Sequence, residues 1–215
     1  MVSSLKELFN EAELADADDP EERFISSGVR WQMYEALLVK LEDNFHYRVT
    51  YLDEILEIVS PSIRHESIKK RLAILLERYL YKRRIQFKPM GSSTIKKQLL
   101  KAGAEPDKSS CIGEAKNIPD LAIEVTVTSG SIDKLEIYRR LGVAEVWFWE
   151  SSTLKLYRKR EEEPLKFLQT NGYEQIDTSQ VLPELNIYLV EKCTLISDDI
   201  QAIEEFEQGM GCLPS

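Results

Sequence analysis

Residues 118–150 read IPDLAIEVTVTSGSIDKLEIYRRLGVAEVWFWE, and this stretch decides the fold. Leu121–Val127 is β-branched and almost wholly apolar, the pattern of a strand buried on both faces. A Ser-Gly-Ser turn follows, with Ser131 as the expected cap of a helix over Ile132–Leu141 that Gly142 ends. Ala144–Glu150 is again strand-like, so the stretch predicts a strand, a crossover helix and a parallel strand.

Outward from this unit, the other strands arrive as hairpins. Tyr47–Leu52 and Ile55–Val59 flank a tight turn at Asp53-Glu54, and Leu154–Lys159 returns on Ala144–Glu150. A smaller hairpin is expected from Phe167–Gln169 and Tyr173–Ile176 around Asn171-Gly172. Phe87–Ile95 and Asp107–Ile112 are further strand candidates. Helical spacing marks Trp31–Leu38, with Ser26 or Ser27 as cap, then Ile63–Arg84 and Asp198–Glu207. Leu5, Leu8, Phe9 and Leu14 suggest a short amphipathic helix in an acidic, weakly patterned extension, residues 1–25; residues 26–215 then form one domain. The predicted class is α/β (α+β), a mixed sheet flanked by helices with added β-hairpins.

Composition narrows the chemistry. The chain has 215 residues, 43% hydrophobic and 30% charged, as expected for a globular domain with one substantial core. Three widely spaced cysteines without CxxC argue against a disulfide framework or zinc site, and for a reducing cytoplasm. The start has no apolar segment of secretory type and no run is long enough to span a membrane. His46 and His65 are the only histidines, so a bound metal must rely on carboxylates, which suits Mg2+ or Mn2+. No P-loop, GxSxG or dinucleotide fingerprint occurs.

The net charge of -9 opposes a nucleic-acid partner, but its distribution does not. Twelve Lys/Arg against two acids between Arg64 and Lys101 give that span +10 and leave -19 elsewhere. A basic stripe of this kind attracts a phosphate backbone locally; a solvated helix face has the same composition.

A carboxylate inside Leu121-Ala122-Ile123-Glu124-Val125 is costly unless paired, protonated or bound to a cation. If the strand beginning at Asp107 lies beside it, Asp107 and Glu124 meet at about the 5 Å spacing of a sheet, where a divalent ion relieves their repulsion. A buried salt bridge would satisfy the same spacing. Asp120 lies four residues from Glu124, roughly 13 Å along one strand, too far for one ion to bridge. Glu57 interrupts an apolar strand as Glu124 does. His65 and Glu66 begin the basic helix, where capping or packing is the simpler role for each. Lys134 stands in the first turn of its helix, the wrong end for a cation, which hints at a role toward an attacking water or a developing phosphate charge. Tyr138 lies one turn on, with core packing as its alternative.

The strings TYLDEILEIVSPSIRHESI (50–68), GAEPDKSSCIGE (103–114) and residues 118–150, in this order and spacing, resemble the Uma-two family of the PD-(D/E)XK nuclease superfamily. The resemblance runs from about Trp31 to about residue 190. It implies a restriction-endonuclease-like fold, Mg2+- or Mn2+-dependent hydrolysis of DNA phosphodiesters, and often a homodimer. By the same resemblance Asp107 matches the PD aspartate and Glu124 the second acid, both metal ligands. Thr126 stands where the motif lysine belongs, which points to Lys134 as a displaced lysine. The upstream acid would be Glu57 or Glu66, and His65 matches a recurring histidine. Lys69, Lys70, Arg83 and Arg84 are the expected backbone contacts, with His65, Glu66 and Tyr138 near the substrate. Two other readings fit the sequence: a nuclease-fold protein that binds nucleic acid or a protein without cutting, and a hydrolase of smaller phosphates.

Overall fold

The computed structural model describes residues 21–41, 46–126, 132–160 and 164–211. The proposed amphipathic helix near Leu5, Ser131 and Cys212 lie outside them. Among the described residues eleven strands form two sheets flanked by helices, in keeping with the predicted mixed α/β class. The first sheet is antiparallel, in the order β1 (Glu22–Ser26), β3 (Ile55–Ser60), β2 (Arg48–Leu52), β6 (Ala102–Ala104), β5 (Ile95–Lys97). The second is mixed, in the order β11 (Tyr173–Ile176), β10 (Thr153–Lys159), β9 (Glu145–Glu150), β8 (Leu121–Thr126), β7 (Lys108–Ile112), β4 (Phe87–Pro89).

The crossover expected from residues 118–150 is present: β8 and β9 are parallel, Leu121 opposite Glu145, joined through helix α3 (Lys134–Leu141). Alternation along β8 sends Leu121, Ile123 and Val125 to a core shared with Leu72, Leu75, Leu76 and Tyr79 of α2 (Ile63–Lys82). That core is closed by Val190 of α4 (Ile187–Thr194) and Phe206 of α5 (Asp199–Gly209). On the other face of β8, Ala122 packs with Ile137, Tyr138 and Leu141 of α3, which also meets Ile95, Ala102 and Ala104 of the antiparallel sheet. Helix α1 (Trp31–Lys40) covers that sheet's far face through Trp31 and Tyr34 against Val49, Tyr51, Leu56 and Ile58.

Several expectations are corrected. The strand predicted over Phe87–Ile95 is two strands in different sheets, because the chain turns at Met90–Ser93 with Gly91 at φ 58°. Phe167–Gln169 belongs to an irregular 3-10 segment, and β11 pairs instead with β10. Helix α3 begins at Lys134, not Ile132, because the Asp133 carboxylate accepts from Glu136 N and caps it. Ser26 lies in β1, and α1 begins after Arg30 without a side-chain cap. Strands β1 and β6 and helix α4 are additions. The Asp53-Glu54 hairpin and the Gly142 terminus, at φ 93°, are as expected. No helix among the described residues is long and apolar enough to cross a membrane.

Glu145, fully buried at the start of β9, ties the 179–181 turn to the mixed sheet. Its carboxylate accepts from Trp147 Nε1 (2.7 Å), Ser179 Oγ (2.6 Å), Gln180 N (2.9 Å) and Val181 N (3.2 Å). Glu145→Ala strands these donors and should destabilise the domain by about 3 kcal/mol, a fall of roughly 6–12 °C in Tm by calorimetry.

Candidate active site

The antiparallel sheet is only partly covered by α3, and its uncovered end faces the ends of β7 and β8 across a cleft. Free space there is about 540 Å3, open solvent at the mouth included. The cleft is lined by Arg23, Arg48, Thr50 and Glu57 from that sheet, His65 from α2, Asp107 and Glu124 from the mixed sheet, and Lys134 from α3.

Asp107 reaches the cleft because the chain leaves one sheet and enters the other just before it. Glu105 anchors the crossing: its carboxylate accepts from Val49 N (3.0 Å) and Thr94 Oγ1 (2.8 Å). Beyond it β7 pairs antiparallel with β8, Lys108 opposite Ile123, so one further residue sets Asp107 opposite Glu124. Asp107 Oδ2 accepts from Val125 N at 2.8 Å, and Oδ1 lies 2.9 Å from His65 Nε2. The second approach lies off the N–H direction, an ion pair more than an aligned hydrogen bond. His65 is placed by the start of α2, where Ser62 Oγ accepts the His65 N–H at 3.1 Å. Its Nδ1 faces Glu21 at 3.8 Å.

Glu124 receives two groups from one face of α3. Lys134 Nζ lies 3.2 and 3.3 Å from its two oxygens, and one turn later Tyr138 Oη donates to Oε1. Tyr138 is thus buried in the core and polar-bonded at the same time. Glu57, buried in β3, lies within electrostatic range of Lys134 and 3.5 Å from Arg23.

Burial raises the carboxyl pKa of Glu124 and Asp107 adds to it, against Lys134 and Tyr138. Burial opposes the Lys134 charge, but Glu124, Glu57 and Asp107 outweigh it and push its pKa up. Asp107 is held low despite burial, by His65 first and then by Val125 N. Burial disfavours the His65 imidazolium, but contacts with Asp107 and Glu21 prevail and raise it to about 9.

The cluster draws together Asp107, Glu124, Lys134, Glu57, His65 and Tyr138. It leaves out others. Glu66 is outside the cleft lining and pairs with Lys69 and, at 3.8 Å, Arg48. Lys70 is exposed on α2. Arg83 and Arg84 lie 18 and 19 residues past His65, roughly 27 Å and 28 Å along the helix axis, and Arg83 donates to Met210 O at 3.4 Å. The basic stripe is partly internal: Arg71 binds Asp199 (2.6 Å) and the carbonyls of Thr194 and Ser197 (both 3.1 Å), and Lys82 binds Glu207 O (2.8 Å). Asp120 points away, its carboxylate accepting from Ile112 N and Lys116. Glu21, Arg23, Arg48, Thr50 and Glu105 escaped the sequence reading. For Arg48 and Thr50 a signal existed: they alternate with Val49 and Tyr51, which places them on the face of Glu57.

Among the described residues no three His, Cys, Asp or Glu side chains form a closed metal cage. Mg2+ does not require one, since one or two carboxylates with waters and substrate phosphate oxygens suffice. Asp107 and Glu124 supply that pair. The Lys134 ammonium, one cation in range of three carboxylates, already marks the point where positive charge is favoured. The donor set therefore fits a two-carboxylate Mg2+ or Mn2+ site.

A family model, Uma2, described as "Putative restriction endonuclease", matches residues 31–190. That span holds Glu57, His65, Asp107, Glu124, Lys134 and Tyr138; β1 and α5 lie outside it. No curated protein matches the chain.

The raised His65 pKa has a consequence for stability in metal-free buffer. The folded value of about 9 exceeds the ordinary one near 6.5, so its stabilisation is complete below pH ~6.5 and is lost as pH rises through ~9. Melting curves from pH ~6 to ~10 should show this fall in the native protein and its loss in His65→Gln. An imidazole NMR titration of His65 with a midpoint near 6.5 would contradict the assignment.

Proposed function

The chain belongs to the Uma2 family, and we propose that it is a metal-dependent endonuclease hydrolysing DNA phosphodiester bonds at Asp107 and Glu124. The observation that carries this reading is the convergence of two buried carboxylates, set opposite each other by the β7–β8 register, with a lysine from the next helix.

Asp107 and Glu124 would hold Mg2+ or Mn2+, which when bound supplies Lewis acidity at the phosphate and lowers the pKa of a bound water. The protein's own groups have separable tasks. Val125 N and His65 fix the rotamer of Asp107, and Tyr138 fixes that of Glu124, so neither carboxylate must reorganise as charge develops. The Lys134 ammonium takes the place of the motif lysine absent at Thr126. It lies where it can orient a water and offset the negative charge that builds on the phosphate oxygens. Low exposure strengthens each of these interactions relative to water.

A second reading, a nuclease-fold protein that binds nucleic acid without cutting, draws support from the cation already on each acid, His65 on Asp107 and Lys134 on Glu124.

Plasmid and single-stranded DNA, incubated with Mg2+ or Mn2+ and with EDTA, separate the two. The nuclease reading expects EDTA-sensitive cleavage, lowered about 100-fold or more by Asp107→Ala, Glu124→Ala or Lys134→Ala, with a smaller loss for Tyr138→Phe. Cleavage that survives Asp107→Ala overturns the assignment of the centre; salt-sensitive binding without metal-dependent turnover establishes the second reading instead.

A further inference from the structure

Seven charged side chains lining the cleft form a series whose sign alternates from one member to the next. It starts at Asp107, whose Oδ1 lies 2.9 Å from His65 Nε2. His65 Nδ1 faces Glu21 at 3.8 Å, and Glu21 accepts from Arg23 at 2.9 Å. The other terminal nitrogen of Arg23 lies 3.5 Å from Glu57. After Glu124, Glu57 is the charge that most favours the Lys134 ammonium, which itself stands 3.2 Å from Glu124. The alternation breaks only where the series would close. Asp107 and Glu124, set opposite each other by the strand register, are both acids.

All the acids of the series are nearly buried, and a buried charge is tolerated only beside an opposite one. The gap between Asp107 and Glu124 is therefore the place where a divalent cation would restore the alternation. Until it does, His65 and Lys134 each stand between an acid of that pair and a second acid, Glu21 or Glu57.

Arg23 is the midpoint of the series. It lies on β1, which precedes residues 31–190 matched by the family model. Arg23 stands opposite Val59, two residues along β3 from Glu57, so the two side chains share one face of the sheet. Glu21, two residues before Arg23, lines the same cleft. The guanidinium fork lets one side chain hold two carboxylates at once. Without it Glu57 would draw Lys134 away from Glu124, and Glu21 would draw His65 away from Asp107.

We propose that Arg23 is a positioning residue of the metal centre: by holding Glu21 and Glu57 it keeps His65 and Lys134 on Asp107 and Glu124. The inference rests on the metal-centre reading of those two acids. It adds a residue from outside the family match and a control on metal affinity.

Mn2+ binding to the full chain, followed by the EPR signal of free Mn2+ at pH ~7, where His65 with its pKa of about 9 is charged, tests this without any need for cutting. Arg23→Met should tighten Mn2+ binding about fivefold, because both cations move off the acids, and should leave affinity unchanged in a Glu21→Gln/Glu57→Gln background. Where DNA is cut, Arg23→Met should lower cleavage at saturating Mn2+, since Lys134 has left its place. Loss of a merely structural arginine would weaken binding and cleavage together. An arginine acting only as a distant charge would tighten binding equally in both backgrounds. Either result, or affinity within about twofold of wild type, overturns the proposal. Should Arg23→Met fail to fold, Glu57→Gln decides the matter: it should weaken Mn2+ binding about fivefold, and not at all in Lys134→Met, whereas the same loss in both backgrounds overturns the series. Cleavage separates the failures. Asp107-dependent cutting with Mn2+ affinity indifferent to Arg23 sinks this inference alone, whereas the expected affinities without cutting uphold it and sink the nuclease reading.

Discussion

One hydrogen bond organises the centre of this molecule, from the Val125 amide on β8 to Oδ2 of Asp107. A buried carboxylate must be satisfied, and here the donor is the backbone of the strand that carries the other acid. The bond fixes where Asp107 points, and with the β7–β8 register it fixes which residue faces it. The Glu105 contacts, the serine cap under His65 and the start of α3 at Lys134 each set another group around that pair. Displacing β7 by one residue would turn Asp107 to the other face and remove it from the cleft.

The centre has no apolar alternative. Each carboxylate is buried and each has a cation beside it, His65 for Asp107 and Lys134 for Glu124. Removing one member of such a pair leaves an uncompensated charge, so the groups constrain one another. Burial and mutual repulsion raise the pKa of Glu124, while Asp107 is held low. Two carboxylates at one place thus have different proton affinities, set by their neighbours and not by residue type.

Much of this was legible in the residues. The βαβ unit followed from a strand with no polar face, and Glu124 stood out because it broke that strand. Lys134 drew notice because its charge opposes the helix dipole. The misses have a common physical origin in partners distant along the chain. Nothing local to Glu22–Ser26 reveals that β3 will pair with it, and Ala102–Ala104 lacks the β-branched residues that mark strands. The change of sheet between β4 and β5 is a tertiary event with only a glycine turn to announce it. The lysines and arginines of α2 show the same limit. Their number was countable, but only the fold shows that Arg71, Lys82 and Arg83 face the carbonyls around α4 and α5.

That clasp makes α2 a strut with two ends of different kinds. Its first turn carries His65 into the cleft; its last turns hold the final helix of the described chain through basic side chains on peptide oxygens. During synthesis the acids, Lys134 and Tyr138 have all been made by residue 138, yet the apolar face of α2 that meets Val190 and Phe206 waits for roughly a third of the chain still to come. A nascent chain thus completes the support of its acidic cluster only as α5 emerges, so an interrupted copy carries the acids on an unfinished scaffold.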